Sequence, residues 1–430
     1  MRIAVVGAGI TGLACAWSLE KRHRDAQVTL FEANDWLGGH ANTVDVTLDG
    51  LTHGVDTGFL VFNPNTYPKL VALFKELGVH ATPTDMSFSV QAENGAVQWA
   101  GSNLNTIFSQ RKNLLRPAFL KMIADILRFN KQATQLAATG EDAALAEPVG
   151  RFLARENYSK SFCDWYLLPM VGAIWSCSTQ QMKAFPVGTL IRFCHNHGLL
   201  QATGRPQWRT VTGGSREYVK KMRAALRDAR SGAPVLGVKR RPDGVAVESA
   251  RGVEAFDRVV LACHSDESLA LLDDATEQER AVLGSIHYTD NRATLHTDAS
   301  VLPMKRAWSA WNYESAPSGL EGGENRMCVH YLISQLQPLP FQTPVIVSLN
   351  AIREPKAELI LREHNYRHPL FDQKAIDAQK RLPDIQGVRG VWFAGAWTGY
   401  GFHEDGLRSG LEAADAVSQS LLSPFAREAA

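Results

Sequence analysis

The segment that most restricts how this chain can fold is Gly7-Ala8-Gly9-Ile10-Thr11-Gly12, which follows the apolar run Arg2–Val6 and opens an apolar stretch, Gly12–Glu20. G-x-G-x-x-G between a strand and a helix omits side chains where backbone N–H groups and a helix N-terminus must approach a pyrophosphate. The string alone is a weak signal, and its context sharpens it. Gln27–Phe31 reads as a second apolar strand, and Glu32 stands at its carboxyl end, 20 residues past Gly12, where a carboxylate accepts hydrogen bonds from a ribose. Strand, turn, helix and strand together make one βαβ unit. The charge-free run Ile3–Leu19 is 17 residues long, but Gly7, Gly9 and Gly12 suit a strand, a turn and a helix start rather than a leader or a membrane span.

Composition removes several function classes. Lys+Arg 45 against Asp+Glu 44 leaves a net charge of +1, so no global basic field draws in a nucleic acid. The 6 cysteines are scattered without a C-x-x-C pair, which fits reduced thiols in a cytoplasmic protein. Cys194 with His195-x-His197 reads as a loop lacking a third ligand, so no metal site is expected. No nucleophile elbow is present for a serine hydrolase.

Sheet and helix signals alternate over the rest of the chain. Phe88–Trp99 alternates apolar and polar residues around Asn94-Gly95, a hairpin signal. Between Asn113 and Leu136, Leu115, Phe119, Ile123, Ile126 and Phe129 fall on one helix face and suggest a cap. Strands are expected at Val235–Val238, Val245–Val247, Arg258–Ala262, Arg292–His296, Cys328–Ile333 and Val345–Leu349. The chain closes with a strand at Val391–Gly395, a glycine and aromatic turn, and a helix from about Glu404.

Beyond Glu32-Ala33 stand Gly38-Gly39-His40, then His53-Gly54-Val55-Asp56-Thr57-Gly58-Phe59, Thr212-Gly213-Gly214-Ser215, and the run from Phe393-Ala394-Gly395 through Trp397-Thr398-Gly399-Tyr400-Gly401-Phe402-His403-Glu404-Asp405 to Gly410. This set resembles the FAD-dependent amine oxidases and phytoene-desaturase-like flavoproteins. It is most similar to a bacterial group of amine-oxidase-like NAD/FAD-binding proteins, some of them linked to modification of unsaturated or cyclopropane-type acyl chains. The resemblance implies an α/β fold in which a Rossmann-like FAD-binding domain (residues 1–85, 205–285 and 386–425) is interleaved with an α+β substrate domain carrying a helical cap (86–204 and 286–385). It implies FAD contacts from Gly7, Gly9, Ile10, Thr11 and Gly12, and from Glu32 and Ala33. The same likeness extends them to Gly38, Gly39 and His40, to Thr57, Gly58 and Phe59, and to Val238 on the strand over the adenine. At the carboxyl end it implies Gly395, Trp397, Phe402, Asp405, Gly406 and Leu407.

The departures from the family pattern bear on the reaction. His40 stands where arginine is usual, Ala396 and Trp397 replace an acidic residue, and Asp405 replaces glycine. Asp290–His296 lacks the lysine that sits by the flavin in monoamine oxidases. Arg362–Asp372 lacks the cysteine that links flavin covalently in some relatives, which implies non-covalent FAD.

Hydride transfer needs a C–H bond within about 3–3.5 Å of the flavin N5 in a dry pocket. Trp175, Trp308, Trp311 and Tyr313 are candidate walls, together with Trp397, Tyr400 and Phe402. His403 is the acid/base candidate, Tyr400 stands beside it, and Lys305 is a candidate at N5 or for an anionic head group. The expected activity is that of an FAD-dependent oxidoreductase moving a hydride between an apolar substrate, a lipid acyl chain or isoprenoid, and the flavin. The alternatives are a flavin amine oxidase and a non-catalytic flavin-binding accessory or sensor protein. Arg111, Lys112, Arg116, Lys121, Arg128 and Lys131 against Asp125 alone suggest peripheral contact of the 113–136 helix with the inner membrane face.

Overall fold

The computed structural model describes residues 1–139, 145–201, 204–315 and 327–422. Its first sheet has 5 parallel strands, in the order Val391–Phe393, Arg258–Leu261, Arg2–Val6, Gln27–Phe31 and Asp228–Arg230. Strands so distant in sequence assemble because the inner ones are apolar runs that can be buried on both faces, as Ile3, Ala4, Val5, Val259 and Val260 are, while the edge strand Asp228–Arg230 is polar and only half-buried. The helix Ile10–Arg22 leaves the first strand and packs against the last helix, His403–Leu422. Their approach needs glycine: a Cβ on Gly410 would overlap the Thr11 carbonyl, and one on Gly406 would press on Thr11 and Ile10. An antiparallel meander, Val235–Arg241, Gly244–Ser249 and Gly252–Phe256, lies beside this sheet.

A second sheet of 7 strands is mixed, in the order Ile360–Pro369, Tyr288–His296, Ile346–Leu349, Met327–Leu332, Trp311–Ser315, Phe88–Ala92 and Val97–Ala100. One face joins an apolar core through Val90, Tyr313, Val329, Tyr331 and Val347. Helices between residues 104 and 196 close over it. This is the α/β class that the βαβ signal predicts.

Two local expectations change. The cap helix runs over Pro117–Thr139, after a tight turn at Arg111–Leu115, because Pro117 lacks an N–H and suits a helix's first turn rather than its interior. His195 closes the helix Val187–Asn196 and His197 caps it, so this stretch is not a loop. Residues 423–425, assigned above to the FAD-binding domain, lie outside the described residues. No helix among the described residues is long and apolar enough to cross a membrane.

Candidate active site and cofactor cradle

A single large cavity of about 1310 Å³ runs between the two sheets, lined at one end by the N-terminal glycine turn and at the other by aromatic side chains of the helical layer. Ligand pockets usually measure roughly 300–1,000 Å³, so this one has room for a large cofactor and a substrate together.

At the turn, each glycine has a different reason. Gly7 has φ +96°, and a Cβ on Gly12 would overlap the Gly7 carbonyl oxygen, so both are needed to pack strand on helix. Gly9 is the exception: its φ is −66° and a Cβ there would meet nothing within 4 Å. The protein itself does not require glycine at that position, whereas a group lying against the turn would. The helix Ile10–Arg22 begins at Gly9 with no side-chain cap and no acid in its first turn, leaving N–H groups and the positive end of the dipole free for an anion. Gly38 and Gly39, at φ +123° and +59°, fold a second loop against Gly9. Glu32 is buried, accepting from the Ala8 N–H (2.8 Å) and from the Asn34 N–H and Nδ2 (2.9 Å each). A carboxylate has about four lone-pair sites, so capacity remains for a ribose hydroxyl. Open space, an uncapped helix and a positioned carboxylate fit a dinucleotide cofactor.

His40 lies deeper than the sequence suggests. Its ring stacks on Tyr366 (centroids 4.7 Å apart) and tilts against His368 (5.2 Å), and its Nε2 is buried without a partner. Burial and the neighbouring histidines hold its pKa well below the ordinary value, so it lines the cavity as a neutral imidazole. Arginine's permanent charge is replaced here by a single neutral hydrogen-bonding atom. Tyr366 also closes a bridge, its hydroxyl 2.8 Å from Thr57 Oγ1 and 3.1 Å from Asn42 Nδ2.

Asp56 ties together the strand that begins at Thr43, the start of the helix Arg216–Ala224 and the end of the short helix Ile333–Leu336. Its buried carboxylate accepts from Thr43 Oγ1 (2.5 Å), from the Ser215 N–H (2.9 Å) and hydroxyl (2.7 Å), and from Gln337 Nε2 (2.8 Å). Burial pushes this carboxyl up to about 6 against the pull of those donors. Asp56→Ala strands several buried donors at once, and at about 1–3 kcal/mol for each unsatisfied group the expected loss is about 3 kcal/mol or more, read as a lower urea midpoint with unchanged m-value.

The aromatic end is built around the C-terminal turn. Asp405 Oδ2 accepts from the N–H groups of Tyr400 and Phe402 (3.1 Å each), which sets the turn while burial raises the carboxyl's pKa. Trp397 is buried and donates its Nε1–H to the Cys263 carbonyl (3.2 Å). Phe402 stacks on Phe193 at 5.0 Å, and Trp175 meets its edge at 6.2 Å. His403 stacks on Phe59 at 3.9 Å, its Nε2 lies 2.6 Å from the Tyr218 hydroxyl, and burial lowers its pKa to about 3. Such an imidazole positions its neighbours and is a poor proton donor at neutral pH. A residue the sequence reading set aside, His197, is better placed. Its Nδ1 donates to the Phe193 carbonyl (3.0 Å), which leaves Nε2 as an acceptor in the cavity wall, and burial lowers its pKa to about 4.

Most sequence-predicted residues meet at this cavity: Ala33, Thr57, Gly58 and Phe59 from the amino half, Gly395, Trp397, Tyr400, Phe402 and His403 from the carboxyl end. Others do not. Lys305 is exposed on a short turn near Trp308, outside the strands on either side of it, and does not line the cavity. Val238 is buried inside the meander, and Val235 lines the cavity instead. Gly12, Asp405, Gly406 and Leu407 support the walls from behind. The reading missed Tyr366 and His368, whose alternation with His364 on the edge strand Ile360–Pro369 is the signal that could have found them.

Glu314, Cys328 and His330 form the one cluster among the described residues whose donor atoms converge closely enough for a metal ion. Those atoms are already engaged. The Asp298 N–H donates to His296 Nδ1, so His296 carries its proton on Nε2, 2.6 Å from Ser348 Oγ, which bonds His330 Nδ1. His330 Nε2 reaches Glu314 Oε2 at 3.0 Å, and Arg353 and Gln91 saturate Oε1. The cluster is a closed hydrogen-bond chain behind the cavity wall.

The family model described as flavin containing amine oxidoreductase matches residues 10–298, more than half of the chain. The chain belongs to that family. FAD is therefore the dinucleotide that the family implies and that the cradle residues fit, and no cysteine stands on the strand Ile360–Pro369 to link it covalently. No curated protein matches the sequence. Among solved structures, the cyclohexylamine oxidase from Brevibacterium oxydans superposes with a TM-score of 0.69 at 16% identity, over 98% of this chain and 99% of that one. A fatty acid isomerase from P. acnes that produces CLA gives 0.68 at 16% identity, over 97% and 98%. Putrescine oxidase bound to putrescine gives 0.66 at 16% identity, over 97% and 99%. At such identities these likenesses establish the fold of this flavin oxidoreductase and leave its substrate to the chemistry of the cavity.

Proposed function

We propose that this FAD-dependent oxidoreductase acts on an apolar substrate, a lipid acyl chain or an isoprenoid. The observation that carries the reading is the charge distribution in the cavity. Its lining carboxylates among the described residues are Glu32, Asp85 and Glu267. Glu32 is engaged at the cradle, Asp85 is exposed, and Glu267 pairs with His264 and Arg367. Asp85 accepts from the Ser87 hydroxyl beside that end, and Tyr166, Met170, Trp175, Phe193 and Trp208 make walls suited to a hydrocarbon. An ammonium ion would enter that space without a buried, unengaged counter-ion, which is costly in a dry pocket.

The bound flavin supplies the hydride acceptor. The residues exclude water and hold the substrate chain against Phe402 and Tyr400, and His197 Nε2 is the acceptor available for a proton. Amine oxidation is the competing reading, favoured by the fold shared with cyclohexylamine oxidase and putrescine oxidase. Anaerobic flavin bleaching decides between them. We expect unsaturated acyl or isoprenoid substrates to bleach the flavin while an amine panel leaves it oxidised; rapid bleaching by amines with peroxide release in air would overturn the proposal, and bleaching by neither class would favour a non-catalytic flavin protein.

A further inference from the structure

Single exposed leucines are ordinary on a protein surface, but a contiguous group of them is not. Leu104, Leu114, Leu115, Leu120 and Leu127 are all exposed within one stretch of the chain, Leu115 to 87%, Leu104 to 74% and Leu127 to 64%. The helix Pro117–Thr139 explains part of the grouping. Phe119, Met122, Phe129 and Ala133 point into the core, and the opposite face carries Leu120, Ala124, Leu127 and Lys131 at helical spacing. This helix is therefore apolar on its solvent side as well as on its core side.

The charge around these leucines is predominantly positive. Between Leu104 and Lys131 stand 6 bases (Arg111, Lys112, Arg116, Lys121, Arg128, Lys131) and the single acid Asp125, so 6 − 1 = +5. Asp125 is buried beneath Lys121 and Arg128, and Arg116 pairs with Glu93 from the neighbouring hairpin. Lys112 and Lys131 have no acidic partner among the described residues. The patch also has a definite place relative to the cavity. Gly101 and Ser102 are exposed residues of the cavity lining and run directly into the helix Leu104–Ile107, which packs beside the turn Lys305–Ala307 and the exposed Met304.

We propose that this face docks on the surface of an anionic lipid bilayer, with the leucines in the acyl boundary and the lysines and arginines among the headgroups, so that the cavity rim lies at the membrane. Basic residues ringing exposed apolar side chains on a surface helix match that environment in both respects. A second copy of the chain would set +5 against +5, and an acidic partner protein would satisfy the bases without accounting for the leucines. The proposal stands independently of the substrate, since it rests on the outer surface alone.

Flotation of the FAD-loaded full chain with vesicles tests it. Vesicles containing phosphatidylglycerol should carry the protein upward at low salt, and vesicles of phosphatidylcholine alone should bind it about tenfold less. Leu115→Asp with Leu127→Asp should cut flotation about tenfold or more while leaving the flavin spectrum and thermal midpoint unchanged, since neither side chain is buried. Lys112→Glu with Lys131→Glu should do the same and abolish the salt dependence. The proposal falls if the unaltered protein does not float, or if the leucine variant floats equally well. It falls too if ultracentrifugation shows a dimer that the leucine variant dissociates without any vesicle binding.

Discussion

Gly9→Val is expected to give a folded, colourless protein. The reasoning separates what the chain needs from what its cofactor needs. Gly7 and Gly12 are required by the protein's own backbone, through a positive φ at one and overlap with a carbonyl at the other, so substituting either confounds folding with binding. Gly9 has an ordinary φ and empty space where a Cβ would project, so valine costs the apoprotein little. The same side chain occupies the surface where the FAD pyrophosphate must approach the helix N-terminus. Losing that approach is expected to weaken FAD binding by at least ~100-fold, about 3 kcal/mol. Flavin absorbance after reconstitution and circular dichroism check the two halves. A yellow variant would remove the glycine turn from the cofactor site; an unfolded one would show that the space at Gly9 is not free.

The second large effect is expected in the pH dependence of the apoprotein, for which that variant is a convenient form. His197, His296 and His368 are held neutral by burial, each with its pKa lowered to about 4, and His403 is lowered to about 3. A histidine whose folded pKa is depressed stabilises the fold above its unfolded value of about 6.5, and that stability is lost as pH falls toward the folded value. Each such group removes about 1.4 kcal/mol per pH unit in that window, so together they cost on the order of 10 kcal/mol by pH 4.5, comparable with the whole stability of a typical domain. Asp56, raised to about 6, has the opposite sign: its contribution is present at low pH and lost as pH rises through 6, so it offsets roughly one histidine. His330, raised to about 9 by Cys328 and Glu314 in spite of burial, contributes below 6.5 without changing across the window. The thermal midpoint should therefore fall steeply between pH 6.5 and 4.5. A flat profile would mean that water or an anion reaches these imidazoles.

How much of this was legible beforehand follows the range of the signals. The amino-terminal cradle was readable because Gly7, Gly9, Gly12 and Glu32 are close in sequence and belong to one strand–turn–helix–strand unit. The carboxyl-terminal aromatic turn was readable for the same reason. Lys305 misled because its place between apolar strands does not say whether the connecting turn faces the cavity or solvent, and that depends on how distant strands pair. Tyr366 and His368 were missed because their edge strand is polar, with too few apolar residues to announce a strand at all. The Glu314–His330–Ser348–His296 chain was out of reach altogether, since antiparallel neighbours meet across 16 and 18 positions in sequence with no local pattern. His403 was found because the turn is visible in the sequence, whereas Tyr218, which occupies its Nε2, comes from another part of the chain.

The strand order of the parallel sheet has a consequence for how the protein is made. Arg2–Val6, which leads into the glycine turn, is translated long before Val391–Phe393, the edge strand of the same sheet, and before the helix His403–Leu422 that packs behind the cradle. A nascent chain can therefore form the first βαβ unit and still have no finished cofactor site until that helix has emerged. FAD capture must follow its emergence, and until then the apolar faces of both sheets wait for partners not yet translated. Flavin supply thus acts on the assembled sheets, as a late step that decides between a closed enzyme and an open one exposed to proteolysis.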